Sequence, residues 1–152
     1  MSSRPRTGEK RRNDGQYFLD ANVLMYAAGA GHPLREPCRD ALQRAVDQKK
    51  TLVTDSEVLQ EILYRYFAIR RPEAAQSVYR SATALCDAVL PVTEQDTARA
   101  LGLLLKYRNL PARDAIHIAT MEAAGLRQIL STDTHFDTVT EIDRIDPERF
   151  CS

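Results

Sequence analysis

The stretch RNLPARDAIHIATMEAAGLRQILSTDTHFD, Arg108 to Asp137, holds a helix, a strand and the break between them. Pro111 and Ala112 lead into an amphipathic segment over 114–124, and Gly125 stands where a C-cap glycine belongs. "RQILST" then reads as a strand, and its apolar run stops at Ser131-Thr132-Asp133. A helix leading directly into a short apolar strand is half of a βαβ unit, which implies a parallel sheet. Acids stand at both ends of this unit, Asp114 and Asp133. Carboxylates at the ends of buried elements either cap them or do chemistry.

The same alternation extends outward. "QYFLDANVLMYAAG" gives a strand into Asp20, a tight polar turn and an apolar helix that stops at Gly29. Pro33 to about Lys50 is amphipathic through Leu34, Cys38, Leu42 and Val46. "TLVTDS" is a second strand ending on capping residues, followed by a helix from Glu57 to about Arg70 with Val58, Leu59, Ile62, Leu63 and Tyr66 on its apolar side. Glu73 to Asp87 is another helix, "AVLPVT" a third strand, and Thr93 opens a helix carrying Ala100, Leu101, Leu104 and Leu105. "VTEIDRID" holds a fifth strand. The expected fold class is α/β, with helices on both faces of a parallel sheet of four to five strands.

A chain of 152 residues is about one domain's worth of protein, and 43% hydrophobic residues suffice for a core. No apolar run approaches the roughly 18–20 residues that span a bilayer, and no hydrophobic segment follows the charged N-terminus as in a secretory signal. Cys38, Cys86 and Cys151 show no C-x-x-C spacing and suit a reduced cytoplasm better than a disulfide scaffold. Net charge is zero but unevenly spread. Residues 1–12 carry a balance of +4, leaving −4 on the remainder. Residues 1–15 read as a basic, disordered tail, and 16–152 as a single domain.

In an open parallel sheet, sites form outside the carboxyl ends of the strands. Asp20 ends strand one and Asp133 follows strand four, so the two meet at one edge if those strands are neighbours. Asp114 starts the helix feeding strand four, and Glu61 interrupts an apolar helix one turn after Glu57. Each has an ordinary reading: Asp20 a turn acid, Asp114 an N-cap, Asp133 an Asx turn, Glu61 a solvated helix residue. Clustered, four carboxylates would repel one another and raise some of their pKa values. A hard divalent cation removes that repulsion and prefers oxygen ligands, so Mg²⁺ or Mn²⁺ is the expected ion. His32, His117 and His135 are scattered, with no zinc spacing, and His117 fits the buried face of its helix.

Four segments in order, "YFLDANVLMY", "SEVLQEILYRY", "RDAIHIATMEAAG" and "ILSTDTHFD", resemble the successive motifs of the PIN domain, the metal-dependent nuclease fold of VapC-type toxins. The likeness runs from Tyr17 to about Pro147. It implies a three-layer α/β/α sandwich with Asp20, Glu61, Asp114 and Asp133 as the catalytic, metal-holding acids. Glu61 is preferred over Glu57 because the family's acid comes just before an "I/L-L-Y" continuation, as in "EILYRY". Asn22 and Ser131 would be polar supports and Asp137 a secondary acid.

The implied activity is Mg²⁺-dependent hydrolysis of RNA phosphodiester bonds by the toxin of a toxin–antitoxin pair. A cognate antitoxin and a homodimer partner come with that implication. Arg113 and Arg108, with Lys106 and Arg70-Arg71 behind them, are candidate phosphate contacts. A non-catalytic PIN-like binding module is the competing reading, and four intact acids weigh against it. An aspartyl-nucleophile phosphatase would carry a second acid two residues after the first, where this chain has Asn22. A flap-type DNA nuclease would need an inserted arch for which the chain is too short.

Overall fold

The computed structural model describes residues 15–150. Five strands form one all-parallel sheet: β1 Gln16–Leu19, β2 Thr51–Asp55, β3 Ala88–Leu90, β4 Gln128–Leu130 and β5 Asp143–Ile145. Their order is β3-β2-β1-β4-β5. The register sets Phe18 beside Val53 on one side and Ile129 on the other. β1 is thus central, and Phe18 and Leu19 are fully buried. Truncating Phe18 to Ala would cost about 3–5 kcal/mol.

Six helices connect the strands: α1 Ala21–Ala28, α2 Arg35–Asp47, α3 Ser56–Ala68, α4 Pro72–Leu85, α5 Glu94–Lys106 and α6 Ala112–Ala123. Right-handed crossovers carry β1 to β2 to β3 in one direction and β3 back across to β4 in the other. That reversal puts α1–α4 on one face and α5 and α6 on the other. Contacts agree: α1 packs on α2, α3 and α4, while α5 packs on α6. Chain direction reverses at β1, so the crevice between the carboxyl ends of β1 and β4 is the switch point where α/β sheets place their sites.

Several element ends differ from the sequence reading. No separate turn follows β1, because Asp20 itself caps α1, its side chain accepting from the Ala21 N–H. Thr93 and Asp96 form a reciprocal capping box at α5. Asp114 does not cap. Its helix begins at Ala112, with Pro111 in the cap position and no side-chain cap bond, leaving the Asp114 carboxylate free to turn elsewhere. Gly125, at φ 74°, takes the left-handed conformation beyond the α6 C-cap. Leu63 is 41% exposed, not on the buried side of α3.

Cys38 and Cys86 are buried free thiols, pushed up to about 11 and about 12 by desolvation, so neither is a reactive thiolate. The basic leader, apart from Gly15, and Cys151 lie outside the described residues. Among those described, no helix is long and apolar enough to cross a membrane.

Candidate active site

Asp20 is extended on from β1, its N–H paired to the Leu130 carbonyl of β4, and its carboxylate projects into the switch-point crevice. Three donors hold it. Oδ1 accepts from the Ala21 N–H at 2.8 Å, and Oδ2 from Ser131 Oγ at 2.6 Å and Asn22 Nδ2 at 3.2 Å. Burial nonetheless holds Asp20 above the usual carboxylate range, although His117, Ser131 and Ala21 pull the other way. Ser131 Oγ also accepts from the Asp133 N–H at 3.0 Å, and Asn22 Oδ1 from the Thr132 N–H at 3.2 Å. Asn22 and Ser131 therefore lock the loop after β4 to the end of β1.

Asp114 and Asp133 approach this pair from the other side. Asp114 is buried, and its Oδ2 has no hydrogen-bond partner. Desolvation first, then the Asp20 charge and the neighbouring Asp133 carboxyl, push Asp114 up to about 8. Desolvation acts on Asp133 as well. The His135 N–H, the neighbouring Asp114 carboxyl and the His135 ring outweigh it, and Asp133 sits below the usual range. Glu61 reaches in from α3 and is raised by burial and by Asp20, against the pull of Arg113.

The donor atoms fall into two groups, Asp20–Glu61–His117 and Asp114–Asp133–His135, each with its atoms within 4.8 Å of one another. A bare set of buried, mutually repelling carboxylates with an orphaned oxygen is a poor resting arrangement for a protein interior. It fits a divalent cation, which would satisfy Asp114 Oδ2 and cancel the repulsion.

The structure thus brings the four motif acids together, with Glu61 rather than Glu57 beside Asp20 and His117. Arg113 bridges those two glutamates, its guanidinium 3.3 Å from Glu57 and 3.5 Å from Glu61. Asp137 stands apart from the cluster. It pairs with Arg144 through two bonds of 2.7 and 3.2 Å, and Arg144 also donates to the Ser131 carbonyl at 3.0 Å. Asp137 is therefore linked to the Ser131 loop through Arg144. Arg108 is exposed on the turn between α5 and α6, and Lys106 is bound to Glu141 at 3.4 Å.

Two of the histidines that look scattered along the chain converge here; His32 instead stacks on Tyr26, centroids 4.6 Å apart. His117 Nδ1 donates to Asp55 Oδ2 at 2.8 Å, and its Nε2 lies 3.9 Å from Asp20 Oδ1. Burial opposes charge on His117, but Asp55, Asp20 and Asp114 together raise it to about 9. Asp55 is fully buried and also accepts from Thr120 Oγ1 at 2.9 Å and from the Val58 N–H, capping α3. Asp55, His117 and Thr120 are functional candidates that motif reading passes over. Two signals point to them: Asp55 closes β2 as Asp20 closes β1, and His117 lies one helical turn after Asp114, on the same face.

The sheet order and the acid cluster at its switch point define a PIN-type domain, and the PIN domain family matches residues 17–142; the chain belongs to that family. The ribonuclease VapC13 of Mycobacterium tuberculosis is 41% identical over 128 residues, spanning 84% of this chain and 98% of VapC13. VapC23 of the same organism is 36% identical over 116 residues, spanning 76% and 91%. Within the PIN family this chain groups with the VapC ribonucleases. The fold is also that of M. tuberculosis VapC20, a Sarcin-Ricin loop cleaving toxin, at TM-score 0.67 and 20% identity over 82% of this chain and 95% of VapC20. VapBC2 of Rickettsia felis, bound to a DNA fragment of its promoter, superposes at TM-score 0.68 with 16% identity over 86% and 97%.

Proposed function

We propose that Asp20, Glu61, Asp114 and Asp133 hold Mg²⁺ or Mn²⁺ and hydrolyse RNA phosphodiester bonds endonucleolytically. The observation that carries this reading is Asp114 Oδ2, buried without a partner and pressed against two further acids. A divalent ion there would polarise the scissile phosphate and lower the pKa of the attacking water. The chain's own part is positional. Ser131, Asn22 and the Ala21 amide fix Asp20 as an acceptor facing the crevice. Asp114 or Asp133, whichever is less committed to the ion, takes the proton of the attacking water. Arg113, beside Asp114 and tethered to Glu57 and Glu61, is placed to meet a phosphate once the ion takes over Glu61; Arg108 is the exposed cation nearest in sequence.

The same reading gives the protein a cytoplasmic location, a cognate antitoxin and a homodimeric state. It also makes 16–152 one nuclease domain behind a basic leader, 1–15. An antitoxin helix has a groove of about 430 Å³ to enter, between α1, α2 and α4, with Leu24, Leu42, Val46 and Leu85 in its wall and Arg35 and Arg39 among its cations. A second copy has an apolar surface on and just after α3, where Tyr64, Phe67 and Ile69 are each more than half exposed.

The test is cleavage of a mixed RNA pool with Mg²⁺ by wild type, by Asp20→Asn with Asp114→Asn, and by wild type in EDTA. Cleavage by wild type alone is expected. Equal cleavage in all three would reveal a contaminant, and RNA retained but uncut by wild type would leave a binding module.

A further inference from the structure

We infer that His117 is a direct ligand of the cation held by Asp20 and Glu61, oriented for that task by Asp55, so that this half of the site is a mixed oxygen–nitrogen position. The inference rests on the metal-dependent reading above.

His117 is fully buried, and its Nε2 meets no hydrogen-bond partner. A buried imidazole nitrogen without a partner is costly, and proteins rarely keep one without a use. Its direction is fixed from behind. Asp55 takes Nδ1–H at 2.8 Å and is itself pinned by Thr120 Oγ1 and the Val58 N–H. With Nδ1 committed as donor to a carboxylate, the neutral ring presents its lone pair at Nε2. That is the carboxylate–histidine–metal arrangement in which a buried acid fixes the tautomer and the ring of a ligating histidine.

What Nε2 faces is equally specific. It lies 3.9 Å from Asp20 Oδ1, and Glu61 completes a trio of donor atoms within 4.8 Å of one another. Donors on one ion at about 2.1 Å stand roughly 3 Å apart when adjacent and about 4.2 Å when opposed, so small side-chain rotations close this trio on an ion. Phe18, whose ring centroid is 5.2 Å from that of His117, walls the imidazole on one side. A cation entering there takes Nε2 in its neutral form, one proton passing to solvent. Nitrogen in the donor set moves preference from Mg²⁺, which favours oxygen, toward Mn²⁺.

The test uses the full chain stripped of metal and titrated with Mn²⁺. Electron spin echo spectroscopy reads directly bonded nitrogen, and the free-Mn²⁺ signal gives affinity. Expected is a histidine nitrogen coupling in wild type that persists in His135→Gln, vanishes in His117→Gln, and is accompanied there by an affinity loss of about 10–100-fold. Bound Mn²⁺ with no nitrogen coupling in wild type, yet displaced by Asp114→Asn, would overturn the inference and leave the acid site standing. No binding by wild type would overturn both. Coupling abolished by His135→Gln would assign the ligand to the other half of the site. Should His117→Gln not fold, the chain's three histidines still decide the matter: coupling that survives both His135→Gln and His32→Gln belongs to His117.

Discussion

Ser131 Oγ donates to Asp20 Oδ2 over 2.6 Å, joining residues 111 positions apart across the ends of β4 and β1. The bond is short because its acceptor is a carboxylate, and the same hydroxyl accepts from the Asp133 N–H. One side chain thus fixes the mutual positions of two of the four acids. Ser131→Ala is expected to cost about 1–2 kcal/mol of stability and roughly 10–100-fold in kcat/KM. Ser131→Thr should restore part of both. Urea unfolding and RNA cleavage check this, and unchanged cleavage by the alanine variant would remove Ser131 from the organisation of the site.

Asp114→Asn separates stability from activity. The amide carries no charge toward Asp20 and Asp133, so the metal-free variant should melt above metal-free wild type at pH 8, while cleavage falls by at least about 100-fold. Differential scanning calorimetry beside a cleavage assay reads both. A lower Tm would mean that Asp114 is not under electrostatic strain.

Asp55→Ala removes the α3 cap and strands the His117 imidazole in the interior, while the Thr120 hydroxyl keeps its bond to the His117 carbonyl. Breaking a buried pair by deleting one partner costs about 3–5 kcal/mol, and the lost cap adds about 1 kcal/mol. Chemical denaturation should show a loss of that order. A loss under about 1 kcal/mol would place the network on the surface in energetic terms.

Stability of the metal-free protein should fall as pH rises. Asp114 is raised from 3.8 to about 8, so between those values the folded state holds a proton that the unfolded chain has released. His117, raised from 6.5 to about 9, acts in the same sense over its own interval. Both contributions are complete at the acid end of these windows and gone above them. Tm measured without metal should therefore decline from about pH 5 to pH 9, and saturating Mn²⁺ should flatten the decline. A metal-free Tm that climbs over this range would contradict both shifts.

Phe67→Glu places a charge within the apolar surface on α3. Sedimentation should shift from dimer to monomer, with the far-ultraviolet spectrum unchanged. A dimer that survives this variant and Tyr64→Ser would locate the interface elsewhere.

The strands, the helices between them and the positions of the four acids, two at strand ends and two within helices, follow from local pattern. Apolar runs bounded by Asp20 and by Ser131-Thr132-Asp133, the helical spacing of 114–124, and Gly125 beyond its end are properties of contiguous residues, readable without knowing what packs on what. Even Asp114 and Glu61 declare themselves locally, as charges set into apolar helices.

Only the tertiary structure decided what those acids meet. Strand order puts β1 between β2 and β4, which brings Asp20, Asp55 and Ser131 to one edge although they come from three distant segments. It turned His117 from a core residue into the group between Asp55 and Asp20, coupled Arg113 to Glu61, and set Asp137 against Arg144 outside the cluster. The physical reason is range. Secondary structure answers to neighbours within a turn or a pleat, whereas burial, desolvation and charge coupling depend on contacts between residues dozens of positions apart, which exist only once the sheet has assembled.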